Sequence, residues 1–393
     1  MADQYEEPLP YHPPSHETHL QRNQGFQIDP NETYLPDEYP EKIESPLVWR
    51  GEDIESKGEQ WILQLDEDEI GEIDAALKHV RDTGVPFKDI NPELFKFGPQ
   101  LTERLVRLSD SLWNGLGFGL IRGLDPKKYT VEENIIVHVG LSSYFGTKRG
   151  YMASKGNDVL AHVRDIKKHF PGQNIVSPAH GRDIQTFHTD LGDVISIYTI
   201  NSGTKGGSFR LSSSWNVYNT LRQTRPDVLR TLSQPLVFDT LHPELPSYEK
   251  PLLHYHDGRV FLQSFRRPFT GFGDVTRSLD LPPVSPEQKF ALNELHFTAL
   301  KECLVLDFQD GDLLVFNNLA MLHARDSYET STEEEQRYLL KLILRHPAWE
   351  VPPAMADQWE ALYGDRTNPR QEDFPLTYPT EGDAPNYGWN QNG

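Results

Sequence analysis

His188-Thr189-Asp190 and, far along the chain, His323 are the residues whose types and spacing could do chemistry. In an extended strand, side chains two positions apart point to the same side, so the His188 imidazole and the Asp190 carboxylate can face one point. A distant histidine then closes the triangle. Two neutral imidazoles and one carboxylate on one face of an octahedron leave three positions open, which suits Fe(II) binding a bidentate oxoacid and O2. The same donors could hold zinc and a nucleophilic water for hydrolysis. A chain with 15 histidines offers about one His-x-Asp by chance, so the tripeptide needs its context.

That context is the run GDLLVFNNLAMLHAR, an apolar strand that gives way to Asn317-Asn318 with His323 in the turn region beyond it, and then the strand RYLLKLILR. Arg337, Leu339, Lys341, Ile343 and Arg345 share one face of that strand, and Tyr338, Leu340, Leu342 and Leu344 share the other. Three cations in one row suit a barrel wall with a charged interior or rim. An arginine there can grip a dicarboxylic acid through a bidentate, charge-assisted pair that lysine cannot copy.

The elements that must position these residues are of two kinds. Asp66 and Glu69 form a capping box, Ile70, Ile73, Leu77 and Val80 fall on one helical face, and Gly84 ends the helix. A second helix carries Leu101, Leu105, Leu108 and Leu112. Short β-type runs follow at 117–124, 194–200, 208–212, 259–265, 312–318 and 337–345, with helical segments after Ser214 and Arg225. Many short strands divided by Gly, Pro, Asn and Asp predict an α+β fold: a jelly-roll core with flanking helices.

The ordered set FHTDLGD, KGGSFRLSSSWNVY, GDLLVFNNLAMLHAR and RYLLKLILR resembles the TauD/TfdA-like (taurine dioxygenase) family of Fe(II)/2-oxoglutarate-dependent dioxygenases over about residues 115–346. The resemblance implies a double-stranded β-helix of the clavaminate synthase-like kind. It implies His188, Asp190 and His323 as iron ligands and catalytic centre, with Arg337 on the distal carboxylate of 2-oxoglutarate. The reaction implied is oxidation of an unactivated C–H bond, by default hydroxylation, coupled to conversion of 2-oxoglutarate and O2 to succinate and CO2. Desaturation or oxidative ring closure would use the same residues. Where family members carry a second arginine for the acidic group of the substrate, this chain has Lys341, with Arg345 an alternative contact. Where they offer a hydroxyl to 2-oxoglutarate it has Phe209, with Ser208 the neighbouring substitute. Tyr151 and Leu191 fall near the family's substrate contacts. The rivals are a metal-dependent hydrolase built on the same triad and a non-catalytic jelly-roll binding protein.

Composition narrows the partners. With 38 Lys+Arg against 59 Asp+Glu the net charge is −21, which repels nucleic acid and anionic membrane. A single cysteine, Cys303, rules out an intramolecular disulfide and cysteine-rich metal clusters. Without a leader or a membrane-spanning run, the expectation is a cytoplasmic enzyme acting on a small molecule, and a homo-oligomer is compatible with it. Residues 1–45 read as a flexible N-terminal arm, 46–365 as the dioxygenase domain and 366–393 as a C-terminal tail. Phe374, Tyr378, Tyr387 and Trp389 are the tail's candidate anchors.

Overall fold

The computed structural model describes residues 8–23, 34–153, 156–173, 177–203, 205–242, 245–332, 335–378 and 380. Asp66 caps the helix Glu67–Thr83 through the Glu69 backbone N–H, and Glu69 returns the bond in a complete capping box. Gly84 ends the helix with φ +66°, a left-handed position that suits glycine. The second expected helix is Pro99–Asn114, which buries Leu101, Leu105, Leu108 and Leu112 against the barrel. Two further helices escaped the periodicity argument. Val131–Ser142 is buried nearly all round, and Pro286–Glu302 buries residues on several faces, so neither shows a clean stripe.

Two sheets form the core. The larger runs in the order Ile62–Gln64, Phe118–Arg122, Leu313–Asn317, Val194–Asn201 and Tyr338–Arg345, with Lys148–Arg149 and Leu160–Val163 both paired to the last of these. The smaller runs Leu304–Leu306, Phe209–Ser213, Met321–Arg325 and Gln185–His188. Apart from the Ile62–Gln64 edge, these pairings are antiparallel. This is the expected double-stranded β-helix, and helices cover its outside. The region between Ser213 and Leu304 is one long insertion. It carries the helices Ser214–Thr224, Pro226–Leu232 and Pro286–Glu302, with the hairpin strands Leu236–His242, Leu245–Lys250, Leu253–His256 and Arg259–Leu262 between them.

Both chain ends lie against this core as far as they are described. Leu9, Tyr11 and Leu35 are buried, a short helix spans His16–Arg22, and Arg266 donates to the Pro10 carbonyl. At the other end Glu372 pairs with Arg149, and the Arg164 guanidinium lies 3.9 Å from the centre of the Tyr378 ring. Tyr387 and Trp389 lie outside the described residues. No helix among those described is long and apolar enough to cross a membrane.

Candidate metal centre

The smaller sheet brings the two histidines together by register. His323 stands directly opposite His188 on neighbouring antiparallel strands, and their ring centres are 4.0 Å apart. His323 therefore sits within the strand Met321–Arg325, not in a turn as the sequence suggested. The preceding turn is complete by Ala320, so the apolar run resumes as a second strand. Asp190 follows the end of the strand Gln185–His188, and a nitrogen or oxygen atom from each of His188, Asp190 and His323 lies within 4.8 Å of the others. All three residues are buried.

Backbone locks hold Asp190 in place. The Asn318 side chain accepts from the Asp190 N–H at 3.0 Å and donates to the carbonyls of Asp190 and Gly192 at 2.8 Å each. Gly192 takes φ +103°, and a Cβ there would come within 2.2 Å of Ile343 Cγ2. Next to it, the buried Asp193 carboxylate accepts from Trp359 Nε1 at 2.6 Å, from the His346 N–H at 2.7 Å and from Arg345. Arg345 thus anchors the loop and is not part of the cavity.

The donors are in the right protonation state for a cation. Burial drives both imidazoles below their ordinary pKa, well below it for His323, so they are neutral at neutral pH. His188 Nδ1 lies 2.8 Å from the Thr186 carbonyl, which fixes Nδ1 as the N–H and Nε2 as the lone pair. Burial resists ionisation of Asp190, but the Lys341 ammonium, together with His323 and His188, outweighs it and holds the carboxyl below its usual range. Asp190 Oδ1 and His323 Nδ1 are buried without a hydrogen-bond partner among the described residues. The His188 Nε2 lone pair faces the Gln185 amide at 3.2 Å; an ionised carboxylate with one unpartnered oxygen beside neutral ring nitrogens fits a divalent cation.

One cavity joins this triad to Gln185, Phe209, Arg325, Arg337, Leu339 and Lys341. Arg337 is buried, burial pushes its pKa down to about 9, and its Nη2 has no partner among the described residues. Gly207, at φ +77°, leaves the space its side chain needs: a Cβ there would stand 3.1 Å from Arg337 Cδ. Arg325, also buried, donates to the backbone carbonyls of Gly181 at 3.0 Å and Asp183. The sequence reading missed it, although its position two residues beyond His323 on one strand was the available signal. Phe209 stacks on His323 with ring centres 5.5 Å apart and presents an apolar wall where a hydroxyl was sought.

The remaining expected contacts fall elsewhere. Lys341 is in the cavity, yet its ammonium donates to Asp190 Oδ2 at 3.0 Å, within the candidate ligand set. Ser208 faces away and donates to Asp307 at 2.8 Å, because strand alternation turns Phe209 inward instead. Tyr151 is fully buried between Arg366 and Arg370 with its hydroxyl on the Gln371 carbonyl, and Leu191 is core packing. Neither lines the cavity.

Comparison with known proteins agrees with this geometry. The chain is 33% identical over 330 residues to the taurine hydroxylase-like protein SAT17 of Stachybotrys chartarum, covering 82% of this chain and 85% of that one. It is 24% identical over 305 residues to FR-33289 synthase of Streptomyces rubellomurinus, covering 75% and 88% respectively. In fold it is similar to asparagine oxygenase, with TM-score 0.58 and 14% identity over 72% of this chain and 93% of that one. It is likewise similar to the non-haem iron oxygenase OrfP, with TM-score 0.51 and 14% identity over 72% and 94%. The family model described as taurine catabolism dioxygenase TauD, TfdA family matches residues 83–343, and the chain belongs to that family of Fe(II)- and 2-oxoglutarate-dependent dioxygenases.

Proposed function

We propose that this chain hydroxylates an unactivated C–H bond of a small acidic or amino-acid-like molecule, with iron on His188, Asp190 and His323 and 2-oxoglutarate anchored by Arg337. The observation that carries the reading is a buried guanidinium with an unpaired Nη2 in the same cavity as the triad. Burying such a group without a partner is costly, and a dicarboxylate co-substrate supplies the missing oxygens. A hydrolase using the triad has no need of it.

Iron and 2-oxoglutarate, when bound, supply the oxidising chemistry. The residues of the chain do the rest. Neutral His188 and His323 offer nitrogen lone pairs, and Asp190 offers its carboxylate, oriented by the Lys341 ammonium on Oδ2. Phe209, Ile197 and Leu339 keep the chamber apolar and limit water around the reacting centre. Three cations, Arg325, Arg337 and Lys341, face one carboxylate in that chamber, which favours negatively charged ligands in a protein of otherwise acidic surface.

The test is iron- and O2-dependent succinate formation. Protein loaded anaerobically with Fe(II) and 2-oxoglutarate is exposed to O2 with and without a panel of small acids and amino acids. Succinate that requires both metal and O2, and increases with one of the panel, supports the reading. Hydrolysis of simple esters or amides of those acids by metal-loaded protein without O2 would replace it.

A further inference from the structure

His188 ends the strand Gln185–His188, which lies at the outer edge of the smaller sheet. An edge strand turns backbone groups away from its sheet, and where these are buried they need partners. The helix Pro286–Glu302 supplies one, since His296 Nδ1 accepts from the Phe187 N–H at 3.4 Å. The N-terminal segment comes to the same edge with Tyr11. That side chain is buried, and its ring makes a T-shaped contact with Phe272 at 4.8 Å between centres. Burial raises the Tyr11 phenol above its ordinary range, and the opposing pull comes from hydrogen bonding to Thr186 and from the charges of Arg325 and Arg266. Thr186 is itself fully buried.

The same segment is tied to the far side of His188. The buried Arg266 guanidinium donates to the Pro10 carbonyl at 2.9 and 3.1 Å and to Asn293 Oδ1 at 2.7 Å. Just before it in sequence, the Ser264 carbonyl accepts from the Thr189 N–H at 2.9 Å, and the Ser264 N–H donates to Thr189 Oγ1 at 3.1 Å. Tyr11 therefore reaches Thr186, and Pro10 reaches Thr189 through Arg266 and Ser264. These two threonines bracket His188, and the Thr186 carbonyl accepts from His188 Nδ1 at 2.8 Å, which sets how the imidazole is turned.

We infer that Pro10 and Tyr11 are positioning residues of the metal centre: the N-terminal segment braces the strand that aims His188 Nε2. The inference rests on the proposed function, since it adds to that same centre. Without the Tyr11 hydroxyl the edge of the strand loses a partner at Thr186, and the carbonyl that orients His188 is free to shift. A segment whose composition reads as a flexible arm is on this account a working part of the catalytic unit.

The experiment uses the full chain as wild type, Tyr11→Phe and Arg266→Lys. It measures Co(II) affinity by competition with a chromophoric chelator, the ligand-field absorption of bound Co(II), and the melting temperature of metal-free protein. Tyr11→Phe keeps the ring against Phe272 and removes only the hydroxyl, so the metal-free variant should melt close to wild type. Its Co(II) affinity should fall about tenfold or more, the usual effect of losing a residue that orients a metal ligand, and the absorption should change with the imidazole. Arg266→Lys keeps a charge but loses the fork on Pro10, and it should move the same two readouts in the same direction. Wild-type affinity and absorption in Tyr11→Phe overturn the inference. A lowered melting temperature with those two readouts unchanged does so as well, because it makes Tyr11 a packing residue. Failure of the wild type to bind Co(II) overturns the metal centre itself and this inference with it.

Discussion

Lys341 Nζ donates to Asp190 Oδ2 at 3.0 Å, so the cation expected on the substrate side of the barrel is bound to the carboxylate of the candidate metal triad. The contact holds Oδ2, the oxygen that also lies 3.7 Å from His323 Nε2, and so orients the carboxylate within the candidate triad. Lys341→Met should therefore weaken Fe(II) binding by about 10- to 100-fold, the usual effect of losing a residue that orients a metal ligand. Metal competition with a chromophoric chelator measures it. Unchanged metal affinity with a raised substrate requirement would mean that the lysine turns away from Asp190 when substrate binds.

Arg337 has an unpartnered Nη2 among the described residues, and the proposed function gives it the co-substrate to hold. Arg337→Lys keeps a charge but loses the planar fork, so the KM for 2-oxoglutarate should rise about tenfold or more with a smaller change in kcat. His188→Ala and Asp190→Ala should instead abolish turnover at every 2-oxoglutarate concentration. Succinate assays over a range of 2-oxoglutarate separate the two patterns. Equal loss of kcat in all three would show that Arg337 does more than hold the co-substrate.

Much of this arrangement is visible in the sequence because it is local. The capping box at Asp66 and Glu69 and the alternation of 337–345 are settled by residues a few positions apart. The His-x-Asp pair converges in the fold, although the strand ends at His188 and Asp190 is set by the following loop. What is not legible depends on distant partners. Arg345 reads as one more cation in the row, but only the folded loop shows Asp193 waiting for it. Ser208 and Phe209 differ by one step of strand register, which the sequence alone does not assign.

Gly192 sits two residues after Asp190 with φ +103°, and an added Cβ would collide with Ile343 Cγ2 and the Tyr363 hydroxyl. Gly192→Ala must strain the backbone and push on the last core strand at once. A loss of about 2–4 kcal/mol in unfolding free energy is expected, toward the upper part of the range for single substitutions. Asn318→Ala, which removes the clamp on the same loop without a clash, should cost less stability yet still reduce iron retention. Denaturant unfolding and iron content after gel filtration measure the two effects. Loss of iron only in the glycine variant would show that Asn318 does not position Asp190.

Four histidines outside the candidate metal triad, His138, His180 and His254 buried and His296 partly buried, act on the acid limit of the fold. Loss of solvent lowers His138, His180 and His296 to about 3 and His254 to about 4. In the unfolded chain each would titrate near 6.5, so between those values the unfolded state binds protons that the folded state refuses. Stability from these groups is full above about pH 6.5 and falls as the pH drops, by at most about 1.4 kcal/mol per pH unit for each. Thermal unfolding of metal-free protein should therefore shift to lower temperature between pH 7 and pH 5. Asp158 and Asp193, raised by burial, act in the opposite sense, which makes the comparison with a variant decisive. His138 packs against the Tyr198 ring and its Nε2 lies 3.1 Å from Ser196 Oγ, so His138→Gln keeps a polar group there but cannot ionise. The variant should be less stable at pH 7 and show a shallower decline toward pH 5. An identical slope in both proteins would mean that His138 is protonated in the folded state and does not contribute to the acid limit.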